Sequence, residues 1–283
     1  DAGTSTVELQ WGTYKTVTCG TMAFHHFKVN MHDSYSLTVA GPLNVDGDLT
    51  IGIINNIKGD EIRVAGNVIS TDAAVGGTSG ITLDGSGAQT VNAVDLPNGL
   101  FKVAKAGGTA TLASALALNA TGQDLTVESG TLDLAGYNLT VNDALTVGNG
   151  GTLRLQGGET ISKGSLALLS GSTVVYTGAG NYGALVLGNA YHHLTFAGTG
   201  VFVHDGAALD VNGNLTVLQG TLSSGGNNLT LAVNWSNSGT YTAGTNTVTL
   251  DGGNQSIYGQ TAFHNLTKTT TAAATLTFEA NQT

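Results

Sequence analysis

Residues 125–147 read LTVESGTLDLAGYNLTVNDALTV, and three times within them a Thr separates two aliphatic residues. The three stretches are Leu125-Thr126-Val127, Leu139-Thr140-Val141 and Leu145-Thr146-Val147. Alternation with a period of two residues is typical of a β-strand that buries one face. Gly130 and Gly136 lie between the stretches, and glycine accepts the positive φ that sharp bends require. The segment therefore predicts short strands joined by tight turns.

The same pattern extends along the chain. It recurs at Leu49-Thr50-Ile51, Leu215-Thr216-Val217 and Leu229-Thr230-Leu231, with further glycine bends at Gly150, Gly220, Gly225 and Gly226. No stretch of ten or more residues combines a 3.6-residue apolar period with a helix cap. We therefore expect an all-β protein with essentially no helix.

A 25-residue pattern occurs four times in the chain. The copies are STVELQWGTYKTVTCGTMAFHHFKV from Ser5, SGITLDGSGAQTVNAVDLPNGLFKV from Ser79, STVVYTGAGNYGALVLGNAYHHLTF from Ser172, and NTVTLDGGNQSIYGQTAFHNLTK from Asn246, the last being two residues shorter. The intervals between their matched anchors Leu9, Leu83, Tyr176 and Leu250 are 74, 93 and 74 in sequence number. Such long-period repetition indicates a solenoid or another repeat architecture.

The intervals suggest the length of one coil. If the difference between 93 and 74 is one added coil, both modules are whole multiples of a coil of about 18.5 residues. Short strands and no helices then predict a right-handed parallel β-helix, or β-solenoid, of about 15 coils. The four anchors would occupy equivalent places in the coil, and the solenoid would be on the order of 70 Å long.

We expect one β-solenoid over residues 1–283, built of modules at roughly 1–74, 75–167 and 168–241 and a partial module at 242–283. DAGTSTVEL at Asp1 resembles TAGTNTVTL at Thr242, and neither end has the sequence of a polar cap or a covering helix. Uncovered end coils expose strand edges. The expected partners are therefore copies of the chain stacked end to end into a filament, or the continuation of a longer parent chain.

The composition limits the other partners. Hydrophobic residues make up 41% and charged residues 10%, so the chain can bury a core, and its net charge is −10. Arg63 and Arg154 are the only arginines, which argues against nucleic acid as a partner. No apolar run approaches the roughly 20 residues that span a bilayer, and no secretion signal begins the chain, so no membrane insertion is expected. Cys19 is alone and is expected to be a half-buried strand residue.

Four runs resemble the repeat-rich bacterial surface proteins of the filamentous-haemagglutinin and autotransporter-adhesin type. They are LTVESGTLDLAGYNLTV (125–141), LTVLQGTLSSGGNNLTL (215–231), GTNTVTLDGGNQSIYGQTAFHNLTK (244–268) and TLTFEANQT (275–283). The resemblance is one of repeat style and covers nearly the whole chain. It implies an extracellular, mostly right-handed β-helical protein that serves as an adhesin, fibre or stalk, and it supplies no catalytic motif.

Histidine pairs are the first chemical candidates. His25-His26 and His192-His193 match His264-Asn265 in the fourth copy. Adjacent strand residues point to opposite faces, so we expect each pair to be unable to chelate one metal with both rings. The pairs also recur at module spacing, which favours repeat-derived turn or strand residues over metal ligands.

Acidic residues are the second candidates. Asp124 and Asp143 are about one predicted coil apart, and Asp46 lies beside Asp48, but no further acid or base repeats in register with them. Asp in glycine-rich turns usually bonds its own backbone, so we expect turn-forming roles. Asp46-Gly47-Asp48 and Asp251-Gly252-Gly253-Asn254 offer oxygens for Ca²⁺ without either known calcium-loop pattern.

Thr and Asn patterns provide weaker signals. Thr109-x-Thr111 and Thr245-x-Thr247-x-Thr249 do not continue once per coil, which argues against an ice-binding face. Asn-x-Ser/Thr sequences permit glycosylation at Asn119, Asn138, Asn214, Asn228, Asn234, Asn254, Asn265 and Asn281.

The sequence favours a structural protein over an enzyme. The leading hypothesis is an extracellular or cell-surface β-solenoid that forms a fibre, stalk or surface layer. An adhesin that binds a host surface or a glycan is the alternative, and a polysaccharide-active β-helix enzyme is third. We assign no catalytic, cofactor-binding or metal-ligating residue from the sequence, and we expect no cofactor.

Overall fold

A computed structural model describes residues 3–204 and 206–280. In this part of the chain every regular element is a β-strand, and the strands stack in parallel as a right-handed β-solenoid of about 14 coils. The predicted fold class is therefore confirmed. The chain divides into two compact units: unit 1 extends to Gly151 and includes Thr160–Ala167, and unit 2 consists of Thr152–Glu159 and the chain from Leu168 onward.

The strands are short and follow one another closely. In chain order they are β1 (Thr6–Gln10), β2 (Lys15–Val17), β3 (Ala23–Phe24), β4 (His26–Asn30), β5 (Ser36–Val39), β6 (Leu43–Val45), β7 (Leu49–Ile51), β8 (Asn56–Gly59), β9 (Ile62–Val64), β10 (Val68–Ser70), β11 (Ile81–Leu83), β12 (Gln89–Ala93), β13 (Phe101–Leu112), β14 (Leu116–Leu118), β15 (Leu125–Asp133), β16 (Leu139–Val147), β17 (Gly151–Leu155), β18 (Ile161–Leu168), β19 (Thr173–Tyr176), β20 (Asn181–Tyr182), β21 (Ala190–Tyr191), β22 (His193–Phe196), β23 (Val201–Val203), β24 (Leu209–Val211), β25 (Leu215–Val217), β26 (Thr221–Ser223), β27 (Leu229–Leu231), β28 (Trp235–Asn237), β29 (Thr240–Thr242), β30 (Thr247–Leu250), β31 (Gln255–Tyr258), β32 (Asn265–Lys268) and β33 (Leu276–Phe278).

Unit 1 is a three-sided coil whose sides form three parallel ladders. Ladder A contains β1, β4, β7, β10 and β12; ladder B contains β2, β5 and β8; ladder C contains β3, β6, β9, β11 and the start of β13. The chain visits A, B and C in that order. Phe27, Leu49 and Val68 stack inward on ladder A with no exposed surface. Each coil therefore covers the inward apolar side chains of the next.

Unit 2 is also three-sided. Ladder D contains residues 152–155 of β17 followed by β19, β22, β25, β28, β31 and β33; ladder E contains β20, β23, β26 and β29; ladder F contains β21, β24, β27, β30 and β32. Tyr176, Phe196 and Phe202 are fully buried and meet with ring centroids 5.2 to 5.7 Å apart. These aromatic contacts fill the interior of the first coils of this unit.

The predicted coil length is wrong. Two residues paired across a ladder are one coil apart along the chain. The interval between Thr247 and Asn265 is shorter than the predicted coil length, and that between Phe101 and Leu125 is much longer. A mean coil of about 20 residues accounts for about 14 coils rather than the expected 15.

The four anchors are not equivalent in cross-section, which corrects the second part of that prediction. Leu9 lies on ladder A and Leu83 on ladder C; Tyr176 lies on ladder D and Leu250 on ladder F. Within each unit, the interval between anchors therefore corresponds to three coils and two further sides, not to four coils. The longer middle interval joins residues of different units, and its added coil stays a prediction.

Each copy of the repeated pattern nevertheless forms one coil. Leu83 pairs with Val103, and Tyr176 pairs with Phe196, so the first strand of a copy lies against its last strand. The fourth copy is two residues shorter and closes a correspondingly shorter coil, with Leu250 against Lys268. The repeated pattern therefore corresponds to one full coil, and different copies of it begin on different sides of that coil.

Local predictions from the sequence are confirmed. Every aliphatic–Thr–aliphatic stretch named above forms part of a strand with two buried residues around a half-buried Thr. All six glycine bends named above have positive φ. The expectation for Cys19 is wrong in both parts, because this residue is buried rather than half-buried and follows β2 rather than lying within a strand.

Candidate functional site

The outer side of ladder A in the first coils of unit 1 carries a row of charged and amide side chains. The Lys28 ammonium lies 2.9 Å from a Glu8 carboxylate oxygen on the preceding coil. The hydrogen bond from Lys28 holds the pKa of Glu8 below its usual value. Gln10 and Asn30 continue this row toward the corner, because they are paired in the same ladder.

Aromatic residues occupy the corner at the end of this row. Trp11 and Tyr14 lie in the loop after β1, and His32 and Tyr35 lie in the loop after β4, one coil further on. Ring centroids are 6.4 Å apart for Trp11 and His32, 5.9 Å for His32 and Tyr35, and 6.0 Å for Tyr14 and Tyr35. We call these four residues, together with Glu8, Gln10, Lys28, Asn30 and the Asp33 that contacts His32, the polar–aromatic surface.

The histidine pairs serve a different purpose. In unit 1 the Asp48 N–H donates to His26 Nδ1 at 2.9 Å, and the Asn67 N–H donates to Asp48 Oδ1 at 2.7 Å. The Thr90 N–H then donates to Asn67 Oδ1 at 2.8 Å. One side chain per coil therefore accepts a backbone hydrogen bond from the next coil, and His26 is the first acceptor described.

Unit 2 contains the same arrangement. The Asn214 N–H donates to His193 Nδ1 at 3.0 Å, and the Asn234 N–H donates to Asn214 Oδ1 at 3.1 Å. The Ser256 N–H donates to Asn234 Oδ1 at 2.8 Å. These acceptors satisfy backbone groups that the corner would otherwise leave without a protein partner. We call each series an acceptor ladder.

The acceptor role requires a neutral imidazole, because a protonated Nδ1 has no lone pair to accept. Burial lowers the pKa of His193, and the neighbouring His192 lowers it further. Fixed structural hydrogen bonding thus accounts for both histidine positions that open an acceptor ladder.

The expected separation of the paired rings is wrong. The centroids of His25 and His26 are 4.3 Å apart, and so are those of His192 and His193. His25 lies in a bend between β3 and β4, not within a strand, so strand alternation does not apply to it. Among residues 3–204 and 206–280, no three His, Cys, Asp or Glu side chains come together in an arrangement that could hold a metal ion.

The acidic candidates hold backbone groups in place. Asp124 accepts the Ala144 N–H at 2.9 Å, and Asp143 accepts the Gly122 N–H, so each carboxylate supports the neighbouring coil. Asn254 accepts the Thr275 N–H at 2.9 Å. Asp48 belongs to an acceptor ladder, and Asp46 lies beside the apolar residues Met22 and Phe24. Asp124 and Asp143 thus bond the backbone of a neighbouring coil and not that of their own turns, which corrects the role expected for them.

Two lysines form buried contacts that the sequence did not reveal. Lys105 is 1% exposed, and its Nζ donates to the Gly85 carbonyl at 2.5 Å and to Gln89 Oε1. Burial lowers the pKa of Lys105, and Asp84 opposes this effect. In unit 2, Lys268 Nζ donates to the Gly252 carbonyl and, at 2.6 Å, to Gln255 Oε1. The shared LDG sequences at 83–85 and 250–252 could have indicated this parallel.

Comparisons with protein-family models, curated proteins and solved structures found nothing that matches the chain. None of the described residues forms a helix long and apolar enough to span a membrane. Residues 281–283, which contain the last predicted glycosylation sequence at Asn281, lie outside the described residues.

Proposed function

We propose that the chain is a structural β-solenoid of an extracellular fibre, stalk or surface layer, and that it assembles by stacking coil on coil. The observation that best supports this proposal is the pairing of the first and last strands, β1 and β33. Among the described residues, β1 pairs with β4 alone and β33 pairs with β31 alone. Each of these strands thus has one edge available for a further parallel strand.

The sequence of β1 supports this proposal. Its segment TVEL resembles TVTL in β30, and β30 pairs on both edges, with β27 and with β32. A strand of this sequence therefore accepts a neighbour on each side within the same chain. The inward residues Val7 and Leu9 of β1 are only half-buried, and Phe278 of β33 is 52% exposed, so a further coil on either strand would cover apolar surface.

The added coil comes from a second copy of the chain or from the continuation of a longer parent. Purified chain at high concentration should form filaments, visible by electron microscopy, with a mass that rises with concentration in light scattering. Val7→Lys should prevent filament formation, because it places an ammonium on the surface to be covered. Val94→Lys, at a side chain that is 60% exposed, is the matched control and should leave the filaments intact.

Circular dichroism on each variant distinguishes lost stacking from lost folding. Stable folded monomers at high concentration, with both end coils intact, would refute stacking of separate copies.

We also propose that the chain is not an enzyme. Asp124, Asp143, His26 and His193 all accept backbone hydrogen bonds and so have structural tasks. Assays on neutral and acidic polysaccharides should detect no cleavage. Release of new reducing ends or unsaturated uronates by the wild-type chain, lost in Asp124→Asn, would overturn this proposal.

A further inference from the structure

The polar–aromatic surface exposes its largest rings to solvent. Trp11 is 73% exposed and Tyr14 is 69% exposed. The chain contains one other tryptophan, Trp235, and that side chain is completely buried. Isolated exposed apolar residues are ordinary, but four rings in mutual contact on two neighbouring coils form a continuous patch.

The backbone at Trp11 is strained. Its φ is +30°, and Ala135 is the other non-glycine residue with positive φ among those described. A bulky residue in this region is an outlier that costs free energy, and such strain concentrates at binding and catalytic sites. Burial of the ring does not offset the strain, because the ring remains exposed. The strained backbone holds the indole outward beside His32.

Hydrogen-bonding groups border the rings. The Asp33 side chain is 77% exposed, and one of its oxygens lies 2.6 Å from His32 Nδ1. Ser34 Oγ donates to the same oxygen at 3.3 Å. On the other side, the ion pair of Glu8 and Lys28 lies two positions along each strand from Gln10 and Asn30. The patch therefore combines flat apolar faces with fixed donors and acceptors.

This combination matches the chemistry of a sugar. A pyranose has a face of C–H groups that packs on an aromatic ring and a rim of hydroxyl groups that donate to carboxylates and accept from ammonium and amide groups. The chain has a net charge of −10, Lys28 is paired with Glu8, and the Asp33 carboxylate is exposed in the patch, so an acidic ligand would meet repulsion. The ion pair and the amide groups suit a neutral ligand.

We propose that the polar–aromatic surface binds a neutral glycan, with Trp11 and Tyr14 as stacking platforms and Asp33, Gln10 and Asn30 as hydrogen-bonding partners of its hydroxyl groups. The inference goes beyond the structural role, because it requires neither stacking of coils nor a filament. It places the site on the side of the solenoid, on successive coils, where an extended chain of sugars can cross from one coil to the next.

The two tryptophans make the test direct. Because Trp235 has no exposed surface, acrylamide quenching of the folded chain reports on Trp11. The probes are neutral hexasaccharides of glucose, mannose, galactose and N-acetylglucosamine, with hexagalacturonate as the acidic comparison, first on an array and then by titration calorimetry. We expect at least one neutral hexasaccharide to bind and to protect Trp11 from acrylamide.

The variants locate the site. Trp11→Ala should weaken binding about tenfold or more, in line with the loss of an aromatic contact at the centre of an interface. Tyr137→Ala, at a tyrosine that is 40% exposed in the same unit and outside the patch, is the matched control and should bind as the wild type does. Circular dichroism shows that both variants fold.

Three outcomes would overturn the proposal. The first is an array without any neutral glycan bound, or with binding to hexagalacturonate alone. The second is binding that Trp11→Ala leaves unchanged. The third is protection of Trp11 that rises with protein concentration in the absence of sugar in the Val7→Lys variant, which would assign the patch to a second copy of the chain bound side by side. None of these outcomes, the third being measured in a variant that does not form filaments, bears on filament formation, so the structural proposal stands or fails separately.

Discussion

The corner after ladder A in unit 1 and the corner after ladder D in unit 2 both turn the chain toward the next side of the coil. They do so with different residues. In unit 1 the corner carries the exposed side chains of Trp11, Tyr14 and Ile53. In unit 2 it carries Gly198 and Gly220, where an added Cβ would lie 2.1 and 2.3 Å from a carbonyl oxygen of the preceding coil.

This difference distinguishes the residues that let the coils stack from the residues that are exposed to solvent at the corner. Close nesting of backbone on backbone is sufficient to turn the chain in unit 2, and Leu218 is the one large exposed apolar residue among residues 197–200 and 218–220 of this corner. The solenoid therefore does not need the aromatic rings of unit 1 for its corners. Their presence at a strained backbone position fits a binding role, and the following predictions test this contrast.

The largest effect is expected at the glycine corner. Gly198→Val should lower the free energy of unfolding by about 3 kcal/mol, because its Cβ meets the Gly178 carbonyl. Urea denaturation, followed by the fluorescence of the buried Trp235, measures the loss. Gly183→Val is the control, because a Cβ there meets nothing within 4 Å. Equal stability of the two variants would show that the nested corner is not tight.

The next largest effect is expected at the buried lysines. Lys105→Met should lower the free energy of unfolding by about 2 kcal/mol, since it leaves the Gly85 carbonyl and Gln89 Oε1 without this donor. Lys268→Met, at a half-buried site in unit 2, should cost less. Paired urea titrations test the order of the two losses.

Lys105 also gives a pH dependence with a defined sign. Burial places its pKa below the ordinary value of 10.5, so on raising the pH the native state loses the proton before the unfolded state does. The free energy of unfolding contributed by Lys105 therefore rises with pH in the window that ends near 10.5. A wild-type profile without this rise, or one that Lys105→Met leaves unchanged, would contradict the assignment.

A smaller effect is expected at the acceptor ladder of unit 2. His193→Ala should lower the free energy of unfolding by about 1 kcal/mol, because the Asn214 N–H loses its partner. The pKa of His193 is lowered from 6.5, so its contribution is complete above that value and is lost as the pH falls through the folded pKa.

The control for this prediction comes from the fourth copy, which has Asn265 where the third has His193. His193→Asn retains an acceptor without a titrating ring, and its stability should not share the loss below pH 6.5. Urea titrations at several pH values between neutral and acid make the comparison. Identical profiles for the wild type and His193→Asn would exclude the ladder as the source.

The smallest effect is expected at Trp11. Trp11→Gly should change the free energy of unfolding by less than about 0.5 kcal/mol, because glycine adopts positive φ freely and the lost ring is exposed. A loss of several kcal/mol would show that the ring stabilises unit 1, and the contrast between the two corners would then carry no functional meaning.

The sequence was sufficient to predict the strands and the bends, but not the side of the coil on which each copy of the repeat begins. Alternation in stretches such as Leu49-Thr50-Ile51 and glycines such as Gly136 are local features, fixed by side-chain direction and by φ. The coil length required knowing on which side each copy begins. Because all three sides use the same alternating apolar pattern, the anchors Leu9 and Leu83 look equivalent although they lie on different ladders.

The site residues were harder to predict, because their roles depend on contacts between coils. His26 and Asp48 are 22 residues apart in the chain, and only stacking brings the ring of one to the N–H of the other. The alignment of His193 with Asn265 contained the signal, since both residue types can accept a hydrogen bond. Exposure of Trp11 could not be predicted, because a tryptophan beside a glycine is equally compatible with a buried corner.

Successive copies of the repeat begin on different sides of the coil, and this has a geometric consequence. In each unit the later copy begins two ladders further round the coil than the earlier one. A gene that grows by tandem duplication of such a segment rotates every surface motif by two-thirds of a circumference at each step, and the motif returns to its first side after about eleven coils. Simple lengthening would therefore point a surface motif, where it is repeated, in three directions around the solenoid.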